Sequence, residues 1–286
     1  MTIKEIEEAL EEGEGLKTIA QAYSEIANLK IKRIRGEVER NRIFFQEISR
    51  VYVLIKKLAE KRKVSIPKPK RLVSLIITSN YRFYGSINED LIEFFINTAK
   101  KLDTDIILLG RAAIDYFKTS QVFSNPKEVL LKIDLPDAAE LVSLINMIRD
   151  YNQVLIFHSR LKSLLVQEPI VTDITATSGN NEKVIGNESL QKENFKFIFE
   201  PELPKILSFF DSQILTLLLE STFLESELSR TASRFITMDQ AENEANKFIS
   251  EYEKLEAFSK RNLANNQILE NFASIAASRK VGYDSS

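Results

Sequence analysis

Residues that could carry out chemistry are few in this sequence and lie far apart. His158 is the only histidine, and there is no cysteine. Because His158 lies in the apolar run Gln153–Ser159, it lacks the neighbouring ligands of a metal centre and the partners of a Ser–His–Asp triad. Acidic pairs have the spacing of helix ends and solvent-exposed faces, as in Asp103/Asp105 and Glu242/Glu244. We therefore expect no catalytic residue and no metal site.

A nucleotide site is poorly supported as well. The first strongly apolar run is followed by TSNYRFYGSIN, which has one glycine and two tyrosines. A phosphate-binding loop needs glycine where its backbone approaches the phosphate. Gly110 and Arg111 precede a predicted helix and could hold an anion at its N-terminus, although a turn glycine before a solvent-exposed arginine gives the same pattern. We expect no bound cofactor.

The composition is that of a soluble, folded and helix-rich chain. Among 286 residues, 44% are hydrophobic and 28% are charged, with only eight glycines and seven prolines. The net charge of −2 gives no global field that would attract nucleic acid or a membrane surface. The acidic start is unlike a secretory signal, and the lack of a run of about 18 apolar residues predicts no membrane-spanning segment. The absence of cysteine fits a reducing compartment.

The longest predicted element is a helix from about Pro204 to about Ser278. No proline or glycine occurs between Pro204 and Gly282, so nothing forces a break. A helix of this length cannot be buried in a compact globule and needs a partner along its length. Residues spaced alternately by four and three predict a coiled-coil seam, which runs through Leu217, Ser221, Leu224, Leu228, Thr231, Phe235, Met238, Glu242, Ala245, Ile249, Tyr252 and Glu256.

A second long helix is predicted over residues 16–63. It has 13 Lys/Arg and 5 Asp/Glu, a net charge of +8, whereas Lys205–Lys280 has 9 and 11, a net charge of −2. We expect the two helices to pair antiparallel, although opposite charges fit two solvent-exposed faces equally well. The predicted apolar face consists of Leu16, Ile19, Tyr23, Ile26 and Lys30, and then of Phe44, Ile48, Val51, Ile55 and Leu58.

Both ends of this second helix are charged. Lys4–Glu14 contains six glutamates and forms either the first turns of the same helix or a separate short one. At the other end, a basic group complements the dipole of a helix C-terminus; its members are Lys56, Lys57, Lys61, Arg62 and Lys63.

Between the two helices the sequence has the pattern of an α/β domain. Two prolines in Ile66–Lys70 end the first helix, and the polar residues 170–194 predict a loop or a flexible hairpin. Apolar, β-branched runs alternate with helical spacing, which predicts a parallel sheet with right-handed crossovers. The predicted strands are Arg71–Thr78, Asp105–Leu109, Gln153–Ser159 and Phe195–Phe199. The predicted helices are Asn88–Lys101 with Asn88 as N-cap, Gly110–Phe117 and Asp137–Arg149.

The predicted architecture is a Rossmann-like α/β domain inserted into a long antiparallel coiled coil. The domain boundaries place an N-terminal coiled-coil helix in residues 1–65, the α/β domain in 66–203 and a C-terminal coiled-coil helix in 204–286. From these residues alone, the chain is a long coiled coil that carries an α/β domain and is not an enzyme in its own right.

Seven segments, in order along the chain, resemble the gamma subunit of F-type ATP synthase, and together they cover nearly the whole sequence. KTIAQAYSEIANLKIKR (Lys17–Arg33) is similar to the family's QKITKAMKMVAAAKLRR. LIITSNYRFYGSINEDLI (Leu75–Ile92) is similar to VVTSDRGLCGGFNSNLI, with Thr78, Ser79, Gly85 and Asn88 in the matching turn. ESELSRTASRFITMDQAENEA (Glu225–Ala245) is similar to ESLASEQAARMTAMDNATENA, with Arg234 in place.

The resemblance implies a non-catalytic rotor shaft, with a ring of alpha and beta subunits around the coiled coil. It implies that the α/β foot meets the epsilon subunit and the ring of c subunits, and that the complex is peripheral on the cytoplasmic face of the membrane. No contact with nucleic acid and no direct membrane insertion are implied. The residues that it places against the alpha/beta ring are Lys260, Arg261, Arg234, Glu7 and Glu8.

The chain departs from the family in three places. The family's closing ITQEILEIVAGA corresponds to ANNQILENFASIA here, and the loop after the first strand has lost Gly-Leu-Cys-Gly. The family's first turns are basic and face acidic loops of the beta subunits, whereas this chain begins EIEEALEEGEG. Glu7, Glu8, Glu11 and Glu12 would be repelled by such loops unless the partner ring has changed its charge. The departures indicate a divergent gamma subunit.

Three alternatives remain open at this point. The chain could be the shaft of a specialised F-type-like ATPase that is not coupled to proton-driven synthesis. It could instead be a homodimeric coiled-coil adaptor on the same fold. A nucleotide-using enzyme would have to bind nucleotide alone, which the glycine-poor loop disfavours.

Overall fold

The computed structural model describes residues 2–61, 71–174 and 202–283. Contacts divide the chain into two compact units, Met1–Glu25 with Ile236–Ser286 and Ile26–Phe235, here called unit 1 and unit 2. The elements are α1 (Ile3–Lys61), β1 (Leu72–Ile77), α2 (Ile87–Ala99), β2 (Asp105–Leu109), α3 (Arg111–Ser120), β3 (Lys127–Val129), α4 (Ala138–Ile148), β4 (Gln153–Ser163), β5 (Val166–Asp173) and α5 (Leu203–Tyr283).

Unit 2 contains a five-stranded sheet with the order β3-β2-β1-β4-β5. The first four strands are parallel, and β5 pairs antiparallel with β4 at the edge. The central strands are buried on both faces, as expected for apolar strands in a parallel sheet. The α/β architecture combined with a long helix pair confirms the predicted fold class.

The predicted strands β1, β2 and β4 and the predicted helices α2, α3 and α4 are all present. The prediction of a loop or a flexible hairpin for residues 170–194 was wrong at its start. Residues 170–173 belong to β5 and pair with Leu155–His158. β3 was also missed, since it is three residues long and carries two charges, in Lys127–Val129. Residues 175–194, the predicted strand Phe195–Phe199, the connector Ile66–Lys70, and Arg62 and Lys63 lie outside the described residues.

Each face of the sheet packs against helices. One face carries α2 and α3, where Phe95 is fully buried among Leu91, Ile92, Ala113, Ile114 and Phe117. The other face carries α4 and also α5, whose Leu219 and Phe223 are 0% and 1% exposed within the same cluster as Leu75 and Ile156. The long C-terminal helix is therefore part of the core of the sheet domain.

The seam predicted for α5 is correct. None of its twelve positions is exposed, and Leu217, Leu224, Leu228, Thr231, Met238, Ala245 and Ile249 are buried. In unit 2 it packs against Ile31 and Ile34 of α1. The pairs Lys30–Glu227 and Tyr52–Asp211 are antiparallel in unit 2, as are Glu7–Lys260 and Gln21–Glu242 in unit 1.

The apolar face predicted for α1 is wrong over its first half and in part of its second, where Phe44 and Val51 are 53% and 48% exposed. Leu16, Ile19 and Ile26 are 64%, 55% and 54% exposed. The inward positions recur every seven residues and include glycine and alanine: Ile6, Gly13, Ala20, Ala27, Ile34, Asn41, Ile48 and Ile55. Small side chains allow close approach of the neighbouring helix, so the largest apolar residues do not mark the buried face here. The acidic stretch Lys4–Glu14 forms the first turns of α1 and is not a separate short helix.

One stretch of α5, within Pro204–Ile275, has by length and composition alone the character of a membrane-spanning helix. This differs from the expectation that no such segment occurs. Part of that stretch, 29%, is buried inside the protein. In the same helix, Leu219 and Phe223 belong to the core of the sheet domain.

The two glycines near the start of α1 should respond oppositely to substitution. A Cβ atom on Gly13 would lie 3.0 Å from Phe248 Cδ1 and 3.1 Å from Ile249 Cγ1, whereas one on Gly15 meets nothing within 4 Å. Gly13→Val should therefore destabilise unit 1 by about 1–3 kcal/mol through overpacking. Gly15→Ala should stabilise it by up to about 1 kcal/mol through helix propensity. Thermal unfolding followed by circular dichroism measures both, and a neutral Gly13→Val would contradict the close packing.

Substituting His158 by glutamine should flatten the acid dependence of stability. His158 is 1% exposed on β4, and burial lowers its pKa to about 4, whereas an unfolded histidine titrates near about 6.5. As the pH falls below 6.5, only the unfolded state takes up the proton, so stability present above 6.5 is lost toward pH 4. The loss is about 2 kcal/mol between pH 7 and pH 5. Urea unfolding at both pH values tests this, and equal losses in wild type and variant would refute it.

Candidate functional site at the junction of the long helices and the sheet domain

A segment of α5 is surrounded by protein on all sides. From Thr222 to Ala232 every residue is buried except Glu225, which is half-buried. Two of the three charged residues in this segment are fully buried, Glu227 with 0% and Arg230 with 1% of its area exposed. Burying an unpaired charge costs several kcal/mol, so both must be met by groups of opposite charge.

Glu227 receives hydrogen bonds from two helices. Arg230 Nη2 donates to Glu227 Oε2 at 2.8 Å, and Arg230 Nη1 donates to Ser226 Oγ at 2.7 Å. Lys30 Nζ of α1 donates to Glu227 Oε1. Burial alone would raise the pKa of Glu227, but Arg230 and Lys30 outweigh it and lower that pKa. The carboxylate therefore stays ionised and joins α1 to α5.

The loop between β1 and α2 is attached to the same stretch of α5. The Arg234 guanidinium lies 3.9 Å from the centre of the Tyr84 ring, and Arg234 Nη2 donates to the carbonyl of Arg82 at 2.8 Å. Ser233 Oγ donates to the carbonyl of Tyr84 at 2.7 Å. A cation over an aromatic ring contributes about 0.5–2 kcal/mol, most when it is desolvated. Here the ring is only 2% exposed.

Asp134 completes this attachment from the other side of the loop. Its two carboxylate oxygens accept from the Asn80 backbone N–H at 2.6 Å and from the Tyr84 hydroxyl at 2.7 Å. Burial raises the pKa of Tyr84 well above its ordinary range, and Glu227 and Asp134 add to the rise. The Tyr84 hydroxyl is therefore a permanent donor. We call Tyr84, Asp134, Ser233 and Arg234 the latch.

The predicted turn residues hold this loop in shape. Thr78 Oγ1 donates to the carbonyl of Leu109 at 2.8 Å and accepts from the Ala113 N–H at 3.0 Å. Gly85 has φ of 61°, a left-handed conformation that glycine adopts without strain. Asn88 is not the N-cap of α2, which is Ser86. Instead its amide Nδ2 donates to Ser79 Oγ at 2.8 Å.

The N-terminus of α3 gives no support to an anion site at Gly110 and Arg111. The first three N–H groups of the helix are bonded within the chain: Arg111 to Asn80 Oδ1, Ala112 to the Ser79 carbonyl, and Ala113 to Thr78 Oγ1. Gly110 is required for a different reason. A Cβ atom there would lie 2.3 Å from the Thr78 carbonyl oxygen, at a φ of 93°.

The residues predicted to face partner subunits lie in two places. In unit 1, Lys260 Nζ is 2.6 Å from Glu256 and 3.9 Å from Glu7, and Glu8 is 3.7 Å from Lys4. Arg261 is exposed. Arg234 lies in unit 2 and makes the contacts within the chain described above. Their contacts with partners stay predictions.

Sequence reasoning missed the residues that form the junction: Lys30, Tyr84, Asp134, Glu227 and Arg230. The available signal was the loss of amphipathic character around Leu217–Leu224, because a helix that is apolar on all sides is buried. Charged residues directly after such a run have to be paired. Among the described residues, no group of three or more His, Cys, Asp or Glu could hold a metal ion.

Comparison with known proteins gives a consistent result. A family model described as ATP synthase matches residues 2–261. A curated ATP synthase gamma chain from Ruthia magnifica subsp. Calyptogena magnifica is 22% identical over 264 residues, which cover 87% of this chain and 89% of that protein. A gamma chain from Mycoplasma mycoides subsp. mycoides SC is 23% identical over 243 residues, covering 80% and 81%.

Two solved structures share the fold. The central stalk and c-ring of the Tetrahymena thermophila mitochondrial ATP synthase contains a similar chain, with a TM-score of 0.57, 19% identity, and coverage of 78% of this chain and 99% of that one. The rotor of the Euglena gracilis mitochondrial ATP synthase contains another, with a TM-score of 0.57, 15% identity, and coverage of 91% and 99%.

The stability losses from removing the two buried charges of the junction should not be additive. Glu227→Gln leaves Arg230 buried without its anion, so we expect a loss of about 3–5 kcal/mol in unfolding free energy. The double variant Glu227→Gln/Arg230→Met should lose less than the sum of the two single losses, by about 1–3 kcal/mol. Urea unfolding of all three variants measures this coupling.

The matched control is Glu37→Gln, which breaks an ion pair to the largely exposed Arg33 at 3.0 Å. We expect a loss of at most about 1 kcal/mol there. Additive effects of Glu227→Gln and Arg230→Met would contradict the paired arrangement.

Proposed function

This chain belongs to the ATP synthase gamma subunit family, and from that membership we propose that it is the non-catalytic central shaft of an F-type ATP synthase or ATPase. Its role is to transmit torque between a catalytic ring of alpha and beta subunits and a rotor in the membrane. The observation that carries the proposal is the double use of α5. The same helix forms the core of the sheet domain and pairs with α1.

Torque transmission needs a sheet domain that cannot turn against the helix attached to it. Leu219 and Phe223 of α5 are fully buried in the core of the sheet domain, and burying such a side chain contributes about 1.5–3 kcal/mol. The latch fixes a second part of the domain to α5 at Ser233 and Arg234. Lys30 and Glu227 then tie α1 to α5, so that a force on the domain reaches both helices.

The C-terminal part of α5 is suited to being enclosed by other subunits. Every residue from 260 to 275 is exposed, and five large apolar side chains there are at least half exposed: Leu263, Ile268, Leu269, Phe272 and Ile275. Such an exposed apolar stretch is typical of an interaction site. We propose that the alpha and beta subunits surround it, with Lys260, Arg261, Glu7 and Glu8 among the contacts.

We also propose that the sheet domain contacts the epsilon subunit and the c-subunit ring. The complex would then be peripheral, on the cytoplasmic face of the membrane. A non-catalytic role is supported by the way polar groups near the sheet edge are used. Thr78, Ser79 and Asn80, in the loop after β1, accept hydrogen bonds from the first N–H groups of α3.

A specialised F-type-like ATPase without proton-driven synthesis is the second candidate. All six glutamates of Lys4–Glu14 are exposed, so this surface is free to select a ring with altered charge. A homodimeric adaptor is the third, motivated by the exposed row Leu16, Ile19 and Ile26 on α1. Light scattering of the purified chain distinguishes it, because an adaptor is a stable dimer and a shaft is not.

The test of the proposed function is purification of the native complex through an affinity tag on this chain. We expect alpha and beta subunits to copurify with it, together with epsilon and c subunits when membranes are solubilised gently. ATP synthesis by the purified complex in vesicles under a proton gradient favours the synthase over the specialised ATPase. If no alpha- or beta-like subunit accompanies the chain, the shaft proposal fails.

A further inference from the structure

The two helices of unit 1 leave an apolar groove open along one side of their seam. On α1, the residues three positions after the inward Ile6, Gly13 and Ala20 lie beside the seam, because three residues turn a helix by about 300°. They are Ala9, Leu16 and Tyr23. Leu16 is 64% exposed, so nothing in the described part of the chain covers this stripe.

A matching apolar stripe lies on the same side of α5. Phe248 follows the inward Ala245 by three residues, as Leu16 follows Gly13. In an antiparallel pair, the same rotation away from the seam leads to the same side of both helices. The position of the Phe248 ring agrees with this, since a Cβ atom on Gly13 would lie 3.0 Å from its Cδ1 atom. The α5 stripe consists of Ala241, Phe248 and Leu255, and together the two stripes form an uncharged groove floor.

The rim of this groove is acidic. Rim residues precede the inward positions by one residue, which places them farther from the seam than the floor residues. All four glutamates at the rim are exposed, and within the described ranges none of them has an ion-pair partner. The nearest lysines, Lys247 and Lys254, lie on the outer face of α5. The rim consists of Glu5, Glu12 and Ile19 on α1, and of Glu244, Glu251 and Phe258 on α5.

The groove has the dimensions and the chemistry for one more helix. From Glu5 to Tyr23 it runs for about 28 Å, the length of a helix of five turns. Apolar side chains at alternate spacings of three and four residues pack into such a groove between two helices. Glu12 and Glu251 lie at nearly the same level, because Gly13 meets Phe248. A cation of the incoming helix would relieve the repulsion between these two carboxylates.

Other occupants fit this groove less well. A second copy of the chain could offer the exposed end of its α5, but Asn262–Ile275 contains no cation and has Glu270 as its one charged residue. An anionic lipid surface would be repelled by the glutamates of the rim. An acidic helix would be repelled for the same reason.

We propose that this groove docks a basic amphipathic helix of a partner protein. The apolar stripe of that helix lies on the floor, and lysine or arginine on both of its flanks faces the glutamates of the rim. The inference goes beyond the shaft function and does not depend on it, because enclosure of the end of α5 requires neither this groove nor a basic partner.

The experiment uses the full chain and a labelled synthetic peptide of three heptads, with leucine at the two seam positions and lysine at the two flanking positions of each heptad. Fluorescence anisotropy should show binding of this peptide. Glutamine in place of lysine should weaken binding about tenfold, and glutamate should abolish it. A peptide of the same composition in scrambled order should not bind, which distinguishes the groove from attraction by net charge alone.

Matched variants of the chain locate the binding surface. Glu12→Gln/Glu251→Gln should weaken binding about fivefold. The control Glu14→Gln/Glu253→Gln removes two exposed carboxylates that follow inward positions by one residue, on the opposite side of the seam, and should leave affinity unchanged.

The apolar floor and rim are tested separately. Leu16→Gln/Ile19→Gln should weaken binding at least about tenfold with no change in melting temperature, since both side chains are more than half exposed. Leu29→Gln, at an equally exposed leucine of α1 outside the groove, should bind as wild type does.

Three results would overturn the proposal. The first is equal binding of the lysine and glutamate peptides, and the second is an equal effect of the two glutamate double variants. The third is a stable dimer of the free chain that Leu16→Gln/Ile19→Gln dissociates in light scattering, which would assign the groove to a second copy.

Discussion

A carboxylate enclosed by protein has to be neutralised by cations within hydrogen-bonding reach, and this requirement organises the junction around Glu227. Arg230 supplies one cation from the next turn of α5, and Lys30 supplies another from α1. The alternative partner, water, is excluded because the whole segment from Thr222 to Ala232 is covered except at Glu225. The register of the two helices in unit 2 is thereby fixed, since a shift of either helix by one residue would remove a cation from a buried anion. Apolar packing at Ile31, Ile34 and Leu228 tolerates small shifts far better than this charge arrangement does.

The long C-terminal helix belongs to two structures at once. Within the sheet domain it covers one face beside α4, and in the helix pair it supplies the seam against α1. The latch extends the first role beyond the core, because Arg234 and Ser233 hold the loop that follows β1. A domain attached to a shaft only through a flexible linker could turn independently of it. Here the attachment is the core of the domain, which suits a subunit that must rotate as one piece.

Sequence reasoning was most successful where large apolar side chains report the buried face. The seam of α5, the strands β1 and β2 and the helix α4 with its Asp137 cap all follow from such patterns. It failed on α1, where Gly13, Ala20 and Ala27 face inward while Leu16, Ile19 and Ile26 face solvent. Close helix packing selects small residues, which a hydrophobicity pattern cannot detect. The junction was missed for a related reason. Whether Glu227 and Arg230 are buried depends on α1, on the loop at Tyr84 and on Asp134, and these meet only in the folded chain.

The exposed C-terminal part of α5 has a consequence for the chain before it joins a complex. From Asn262 to Ile275 there is a single charged residue, Glu270, among several exposed leucine, isoleucine and phenylalanine side chains. A surface of this kind invites self-association in a free subunit. Newly made chains would therefore accumulate as aggregates or be degraded if they were produced in excess of their partners. Burial of this helix end against another protein would prevent that self-association.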